Sequence, residues 1–448
     1  MKGTDFPPEF VFGVATSAYQ IEGAAFKDGR IPSHWDTFSH TPGKTWRGET
    51  GDVACDHYHR FSADVALIAA LGVGSYRFSL AWPRIVTEDK RPNPKGLAFY
   101  HRLLDSLAEH HIEAAPTLYH WDLPDWLASR GGWANRDTAG YFADYAEIVF
   151  KEFGDRVNTW MTHNEPWCTA FLSYGLGEHA PGHRDWAEAV RAAHHVLLSH
   201  GWVVQGYRGM GLDGKIGIVL NPNVVDAVTD REDDLDAARR QDGFRNRWFL
   251  DPLFRARYPE DMVQEFSRYV PTWDFVKAGD MEALSVPMDF LGVNYYNRDH
   301  VFFNPRDAFL RVGSVTPPPD QVTAMGWEVH PRSLYRCLKR IQDEYTAIPL
   351  YITENGAAYN DRISPDGRVH DSQRIEYLRD HLAAALDFIR EGGRLERYYA
   401  WSLMDNFEWS LGYSKRFGLV YVDFETQSRI LKDSANWYRD VARSHRLA

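Results

Sequence analysis

The segment SYRFSLAW (75–82) is followed by GLAFYHRLLDSLAEHH (96–111) and then by EAAPTLYHW (113–121). The first and the last are short, apolar and rich in residues that favour strands, whereas the apolar residues of the middle segment recur at helical spacing. A strand, a helix and another strand in succession are typical of a βαβ unit, in which the two strands are parallel. This part of the chain therefore predicts an α/β fold.

The same alternation of strand and helix extends over the rest of the chain. Two more amphipathic segments lie at 59–72 and 374–390, and Gly392 and Gly393 form the predicted stop of the second. Eight such repeats predict a single (β/α)8 TIM barrel domain over residues 1–448, a length that barrels with elaborated loops reach. The predicted strands cover residues 10–20, 75–82, 113–121, 157–165, 215–221, 289–296, 349–355 and 395–405.

The segment VFFNPRDAFLRVGSVTPPPDQVTAM (301–325) interrupts this pattern after the sixth predicted strand. It is rich in proline, so we predict an irregular loop. Loops of this length in a compact domain are usually functional or mobile. In a barrel, this one would overhang the C-terminal mouth, where the loops that follow the strands build the active site.

Charge and cysteine content argue against several classes of protein. The 448 residues include 50 Lys and Arg against 62 Asp and Glu, and a net charge of −12 disfavours nucleic acid or an anionic membrane as a partner. No long apolar run opens the chain, so neither a signal peptide nor a membrane span is predicted there. The three cysteines, Cys55, Cys168 and Cys337, match neither a disulfide framework nor a zinc site. A cytoplasmic protein is therefore expected.

The sequence contains no recognisable metal or cofactor motif. The histidines at 57, 59, 194 and 195 form no HExxH motif or other recognisable ligand spacing. No glycine-rich loop follows a predicted strand in the dinucleotide-binding pattern. We therefore expect neither a metal nor an organic cofactor.

Polar and aromatic side chains are concentrated where the predicted strands end. Glu165 ends the fourth strand in the motif N-E-P, and Glu354 ends the seventh in T-E-N-G. A single glutamate at a strand end is more often part of a structural ion pair. Two of them among aromatic and amide side chains suit cleavage of an acetal, which needs one carboxylic acid to protonate the leaving oxygen and one carboxylate on the other face of the sugar ring. The accompanying residues are Gln20, Arg77, His120, Trp121, Asn164, Asn294, Tyr296, Trp401, Glu408 and Trp409.

Longer motifs occur in a fixed order along the chain. They include FVFGVATSAYQIEGA (10–24), LYHWDLPDWL (118–127), WMTHNEPW (160–167), YITENGA (351–357) and WSLMDNFEWSLGYSKRFGLVYVD (401–423). Through them, essentially the whole chain resembles glycoside hydrolase family 1, in particular its bacterial β-glucosidases. The resemblance implies a TIM barrel that hydrolyses terminal β-D-glucosyl residues, and β-D-galactosyl or β-D-fucosyl residues, of oligosaccharides and of aryl or alkyl glycosides. Cellulose degradation is the implied metabolic setting.

The resemblance also implies catalytic roles for individual residues. Glu165 would be the general acid/base, and Glu354 would be the nucleophile of a retaining double displacement. Arg77, Asn294 and Tyr296 match positions around the nucleophile. Of these, Arg77 and Tyr296 would keep Glu354 ionised by charge and by hydrogen bonding.

The other implied roles concern the substrate, a small β-glycoside. Trp167 and Trp327 match positions on the aglycone side. The residues implied to bind the substrate are Gln20, His120, Trp121, Asn164, Asn294, Tyr296, Trp401, Glu408 and Trp409.

Two other functions fit the same scaffold less well. A sugar-binding protein without catalysis could use the same scaffold, but the presence of both Glu165 and Glu354 disfavours it. In a 6-phospho-β-glycosidase, phosphate-binding Ser and Lys would stand in place of the Glu408-Trp409 pair, which is intact here. Lys415 could supply a positive charge, but it belongs to the family's ordinary YSKRFG run.

Two residues depart from the family pattern. Leu411, in WSLGY, stands where many relatives have a polar or acidic residue, and we expect only a small change in loop packing from it. His163 precedes the N-E-P motif where an apolar residue is usual. It could couple to Glu165 or be satisfied inside the barrel wall, and we favour the second. The sequence leaves open the oligomeric state, the natural aglycone and the choice among glucosides, galactosides and fucosides.

Overall fold

The computed structural model describes residues 5–447, and its centre is a closed barrel of eight parallel strands. Each strand lies within one of the eight predicted ranges, so the predicted barrel is confirmed. Neighbours in the barrel are neighbours in sequence, and the last strand closes on the first, with Gly13 opposite Tyr399. The strands β1 to β8 are Val11–Ala15, Ser75–Ser79, Glu113–Tyr119, Thr159–Asn164, Lys215–Leu220, Phe290–Asn294, Leu350–Asn355 and Leu395–Trp401.

Helices connect the strands and cover the outside of the barrel. The predicted helices at 59–72, 96–111 and 374–390 are confirmed, and the third ends just before Gly392, whose φ of 88° is left-handed. The main helix after each strand, in chain order, is His57–Ala70, Pro94–Glu109, Asp137–Phe153, Trp186–Gly209, Trp248–Arg255, Pro331–Glu344, Ser372–Arg390 and Asp433–Ser444. No helix within residues 5–447 combines the length and the apolar character needed to cross a bilayer.

Shorter elements decorate the loops between the strands and helices. The short helices are Ala18–Ile21, His34–Ser39, Trp82–Ile85, Asp125–Ala128, Glu232–Asp242, Glu260–Phe266 and Asp280–Leu284, and two π-helical segments are Cys168–Leu176 and Gly243–Arg247. Single 3₁₀ turns are Trp46–Gly48, Gly132–Ala134, Pro319–Gln321 and Trp409–Leu411. A small hairpin pairs Val420–Val422 with Arg429–Leu431.

The helix Pro94–Glu109 illustrates why these segments fold as they do. The Asn93 side chain accepts a hydrogen bond from the Lys95 backbone N–H at 3.3 Å, and a proline in the first turn has no N–H to leave unpaired. Leu97 and Leu104 lie seven residues apart on one face and are buried against the barrel. Burial of each such side chain contributes about 1.5–3 kcal/mol.

The segment after β6 was predicted to be an irregular loop, but part of it forms strands. Asp299–Phe303 and Val312–Ser314 form an antiparallel pair, and Val225–Ala227 adds a third strand. The apolar run at the start of this segment is only three residues long and Pro305 follows closely, so the sequence signal for a strand was weak. The small sheet stands beside the mouth of the barrel, because Asn297 and Asp299 at its start line the cleft there.

Large and small residues alternate inside the barrel. The interior is filled by Ala15, Ala115, Met161, Val219, Phe290, Tyr351 and Tyr399, all fully buried. Gly13 provides the space for Tyr399, since a Cβ at residue 13 would lie 2.5 Å from the tyrosine ring and 2.8 Å from the Ser75 carbonyl oxygen. Real Cβ atoms do not approach backbone so closely, so the barrel requires glycine at this position.

We predict that Gly13→Ala lowers the free energy of unfolding by about 1–3 kcal/mol, the usual cost of overpacking a core. Urea unfolding followed by tryptophan fluorescence measures the change. Gly140→Ala is the matched control, because Gly140 lies within Asp137–Phe153 and no atom would lie within 4 Å of the added Cβ. Alanine is the better helix former, so this control should be at least as stable as the unmutated protein. Equal stability of the Gly13→Ala protein would contradict this account of the barrel interior.

Candidate active site

A cleft of about 490 Å³ opens at the carboxyl ends of the barrel strands. Most of the predicted site residues line it, whereas Gln20, Arg77 and Asn164 lie fully buried directly behind its wall. The predicted residues on its surface are His120, Trp121, Glu165, Trp167, Asn294, Tyr296, Trp327, Glu354, Trp401, Glu408 and Trp409.

Glu354, at the end of β7, receives a hydrogen bond on each carboxylate oxygen. Arg77 Nη1 donates to Oε1 at 2.6 Å, and the Tyr296 hydroxyl donates to Oε2 at 2.6 Å. Arg77 is fully buried and also donates to the Thr353 carbonyl at 3.0 Å and to Asn164 Oδ1 at 2.7 Å. The guanidinium fork thus fixes the Glu354 carboxylate from a rigid position inside the barrel.

Glu165, at the end of β4, has a different set of neighbours. Asn294 Nδ2 donates to its Oε1 at 2.7 Å, and Cys168 Sγ donates to its Oε2 at 2.9 Å. Asn294 also stands opposite Glu354 in the pairing of β6 with β7, so it lies beside the predicted nucleophile, as expected, while its amide contacts Glu165. Thr353 Oγ1 donates to Asn294 Oδ1 at 2.7 Å, which turns the amide NH₂ toward Glu165.

Cys168 is a site residue that the sequence analysis missed. It stands three residues after Glu165 at the start of the π-helical segment Cys168–Leu176, and one helical turn brings such side chains together. That spacing was the available signal. Burial raises the pKa of the Cys168 thiol well above its ordinary value, so the thiol remains a donor to Glu165 rather than becoming a second negative charge.

Three residues of the cleft have left-handed backbone conformations. The φ angles are 78° at Trp121, 49° at Glu165 and 53° at Trp409, and each side chain lines the cleft. A non-glycine residue in this region costs about 1–3 kcal/mol and persists where the surrounding structure holds it. For Glu165, the bend turns the chain away from β4 at Pro166.

Aromatic rings form one wall of the cleft. His120 stacks on Trp401 at a centroid distance of 5.9 Å and on Trp409 at 6.0 Å, with interplanar angles of 14° and 12°. Trp121 contacts Trp409 at 4.6 Å and donates its indole N–H to the Asn164 carbonyl at 2.9 Å. Burial lowers the pKa of His120 well below its ordinary value, so the ring is neutral. Flat aromatic faces of this kind stack on the C–H faces of pyranose rings.

Three glutamates share this cleft, and their charges influence one another. Burial raises the pKa of Glu354 above its ordinary value; the Arg77 charge opposes this rise and the Glu165 carboxylate adds to it. Arg77 and Tyr296 lower the pKa of Glu354, as predicted from the sequence, but burial outweighs them. Two close carboxyl groups titrate as a pair, and the donors on both oxygens of Glu354 favour the negative charge there.

Glu408 lies beside Gln20, whose Nε2 donates to Glu408 Oε2 at 3.4 Å and to Asn406 Oδ1 at 2.9 Å. Burial, together with the charges of Glu354 and Glu165, raises the pKa of Glu408 to about 8. In this structure Gln20 positions Glu408, and a direct contact of Gln20 with a sugar stays a prediction.

His163 does not face the cleft. Its Nε2 lies 2.8 Å from Ser199 Oγ, and its ring packs on Tyr119, Trp133 and Phe142 between the barrel and the helices. The favoured location within the barrel wall is confirmed, but the ring is only partly satisfied, because its Nδ1 is buried without a hydrogen bond. Among residues 5–447, no group of three or more His, Cys, Asp or Glu side chains could hold a metal ion.

A (β/α)8 barrel with two glutamates from β4 and β7 in an aromatic cleft at its mouth defines the class of barrel glycosidases. The model of glycosyl hydrolase family 1 matches residues 2–447. Beta-glucosidase A of Thermotoga maritima is 49% identical over 445 residues, which cover 99% of this chain and 98% of that protein. The bifunctional beta-D-glucosidase/beta-D-fucosidase of Bifidobacterium breve is 47% identical and covers 98% of each chain.

A solved structure of a family 1 enzyme has the same fold. The family 1 β-glucosidase of Exiguobacterium antarcticum B7 superposes with a TM-score of 0.97 at 52% identity, covering 98% of this chain and 99% of that one. The chain belongs to glycosyl hydrolase family 1.

The raised pKa of Glu408 predicts a pH-dependent effect on stability. From an ordinary value of 4.5 the pKa rises to about 8, so folding favours the protonated form. The stability that this group contributes is full below pH 4.5 and is lost as the pH rises through 8. Glu408→Gln removes that loss, so the variant should gain thermal stability over the unmutated protein at pH 9 and little at pH 5.

Thermal unfolding followed by circular dichroism at the two pH values measures this difference. Glu109→Gln is the control, because Glu109 is exposed at the end of the helix Pro94–Glu109. Its effect should be the same at both pH values. A Glu408→Gln effect that does not change between pH 5 and pH 9 would contradict the burial of this carboxyl group.

Proposed function

We propose that this protein is a retaining β-glucosidase that removes terminal non-reducing β-D-glucosyl residues from oligosaccharides and from aryl or alkyl glucosides. The observation that carries the proposal is the unequal environment of the two cleft glutamates. Arg77 and Tyr296 stabilise a negative charge on Glu354, whereas Glu165 has the Asn294 amide and the Cys168 thiol as partners and no cation among residues 5–447. Pairs of carboxyl groups in different environments take different parts in acid–base chemistry.

The proposed reaction has two steps. In the first, Glu354 attacks the anomeric carbon as Glu165 gives its proton to the glycosidic oxygen, so the aglycone leaves and a glycosyl–enzyme ester forms. In the second, Glu165 takes a proton from water, which attacks the anomeric carbon and releases Glu354. Both steps invert the anomeric centre, so the product retains the β configuration.

The cleft supports binding of a neutral sugar ring. The wall of His120, Trp401 and Trp409 offers flat faces for stacking, and the Glu408 carboxyl group offers acceptors for sugar hydroxyls. The name of the Bifidobacterium breve relative supports acceptance of β-D-fucosyl residues as well. We extend the proposal to β-D-galactosyl residues on the resemblance alone.

The alternatives find less support. A sugar-binding protein would not need a carboxylate held by a buried guanidinium, which is costly to desolvate. A 6-phospho-β-glycosidase would need a free cation near Glu408, but Lys415 Nζ donates to the Ala324 carbonyl at 2.6 Å and does not line the cleft. A phosphate beside Glu408 would place like charges together in a partly dry cleft.

We further propose a cytoplasmic protein that acts as a single barrel domain in the use of cellulose-derived glucosides. Three free cysteines, all buried, support a reducing compartment. No part of the proposed chemistry calls for a metal or an organic cofactor.

Substitutions of Glu354 and of Glu165 should have different effects on activity. Glu354→Gly should abolish turnover of cellobiose, because no other group can form the intermediate. Glu165→Ala should lose about 10²–10⁴-fold on cellobiose, which has a poor leaving group, and much less on 2,4-dinitrophenyl β-D-glucoside, whose leaving group needs little protonation. Initial rates measure both effects. Proton NMR of the anomer first released tests whether the reaction retains the β configuration.

Glu178→Ala is the control, since Glu178 is an exposed glutamate on the same cleft, and both of its rates should stay near those of the unmutated enzyme. Release of α-glucose first, or equal losses on both substrates in Glu165→Ala, would contradict the assignment. A comparable kcat/KM on cellobiose and cellobiose 6-phosphate would favour the phospho-glycosidase alternative.

A further inference from the structure

The guanidinium of Arg245 lies over the indole of Trp167 in the wall of the cleft. Its central carbon is 3.8 Å from the ring centroid, and both residues line the cleft. Arg245 belongs to the π-helical segment Gly243–Arg247, which follows β5, and Trp167 follows Glu165 by two residues. Two residues span at most about 7 Å, so this pair stands next to Glu165. The family resemblance implies that Trp167 is on the aglycone side.

Arg245 has no charged partner within the part of the chain that the structure describes. Its Nε is buried without a hydrogen bond, and none of the carboxylates of residues 5–447 lies within 4.0 Å of its guanidinium nitrogens. Arg247, two residues later, shows the contrast, because it pairs with Asp242 at 3.0 Å and with Asp261 at 2.7 Å. The buried Nε carries a desolvation cost, whereas Nη1 and Nη2 make no hydrogen bond to residues 5–447 and are not buried, so they are free to donate to a ligand in the cleft.

The nearby polar groups on the cleft do not satisfy Arg245. The Asp299 carboxylate accepts from Asn223 Nδ2 at 3.2 Å and from Gln241 Nε2 at 2.9 Å. Asn221 donates to Cys168 Sγ at 3.5 Å. The remaining carboxyl groups of the cleft are Glu165, Glu354 and Glu408 of the catalytic end and the exposed Glu178.

We propose that Arg245, held on Trp167, forms an anion-recognition site, and that the enzyme prefers β-glucosides whose aglycone carries a carboxylate. A guanidinium offers two parallel N–H donors that match a carboxylate, and a charged acceptor makes the stronger hydrogen bonds. The cleft glutamates repel an anion, but their effect falls with distance and with salt, whereas the contact with Arg245 is direct. The proposal rests on the proposed function, because it concerns the leaving portion of a β-glucoside.

The test compares charged and neutral aglycones of the same shape. The substrates are 3- and 4-carboxyphenyl β-D-glucosides and the corresponding carbamoylphenyl glucosides. For each pair, the ratio of kcat/KM for the carboxylate to that for the amide is measured in the unmutated enzyme and in Arg245→Met, which keeps an apolar chain over Trp167. Leaving-group chemistry cancels when the two enzymes' ratios are compared.

We expect the ratio to fall about tenfold in Arg245→Met for at least one of the two positions, the loss of one charge-assisted contact. Arg245→Lys should keep part of the ratio, because a point charge remains without the fork. Arg130→Met is the matched control. Arg130 also lies over a tryptophan, with its guanidinium 5.1 Å from the Trp126 ring centroid, but away from the cleft, so its ratio should not change.

An unchanged ratio in Arg245→Met at both positions would overturn the proposal. Equal losses of kcat/KM on the carboxylates and the amides would give such an unchanged ratio, since Arg245 would then bind any aglycone. Turnover of the neutral amides by the unmutated enzyme keeps the proposed function intact in both cases. Failure of the unmutated enzyme to hydrolyse any of these glucosides would instead contradict the proposed function itself.

Discussion

The buried ion pair between Arg77 and Glu354 is the interaction on which the site depends. A guanidinium removed from water must be fully hydrogen-bonded, and removal of its partner would leave an uncompensated buried charge. Arg77 donates to Glu354, to the Thr353 carbonyl and to Asn164 Oδ1, and its Nε donates to Met161 Sδ at 3.2 Å, so each of its three nitrogens has an acceptor. These contacts connect the ends of β2, β4 and β7 across the inside of the barrel. The same Asn164 oxygen accepts from Asn294 at 2.9 Å, and Asn294 reaches Glu165.

This network joins both glutamates through groups that cannot move independently. The barrel supplies rigidity, because its strands are paired on both sides and its interior is filled. Rigid surroundings also explain how Trp121, Glu165 and Trp409 keep left-handed backbone angles. The packing of the whole barrel offsets the free energy that these strained backbones cost. The left-handed angles point the three side chains into the cleft, which a regular strand end would not do.

Much of the fold could be predicted from the sequence, because apolar periodicity reports which residues face a core. All eight barrel strands and the three helices we defined were found in this way. The strand Asp299–Phe303 was not, since its pairing partner Val312–Ser314 is a short and isolated segment. Such strands depend on a neighbour that local sequence does not identify.

The sequence predicted most of the residues of the site but not the hydrogen bonds between them. A strand end places Asn294 at the mouth of the barrel, but the rotation of its amide is decided by the Thr353 hydroxyl on another strand. Arg245 carried no signal at all, because it lies in a π-helical segment after β5 and not at a strand end. Its relation to Trp167 follows only from the folded chain.

The central claim is that Glu354, held by Arg77, forms the covalent intermediate. Incubation with 2,4-dinitrophenyl 2-deoxy-2-fluoro-β-D-glucoside, digestion and peptide mass spectrometry test it most directly, because the fluorine slows both steps and the good leaving group lets the first proceed. The account predicts one sugar per protein, attached to the peptide that contains YITENGA (351–357) at Glu354. A label on Glu165, on Glu408 or on any other residue would contradict it.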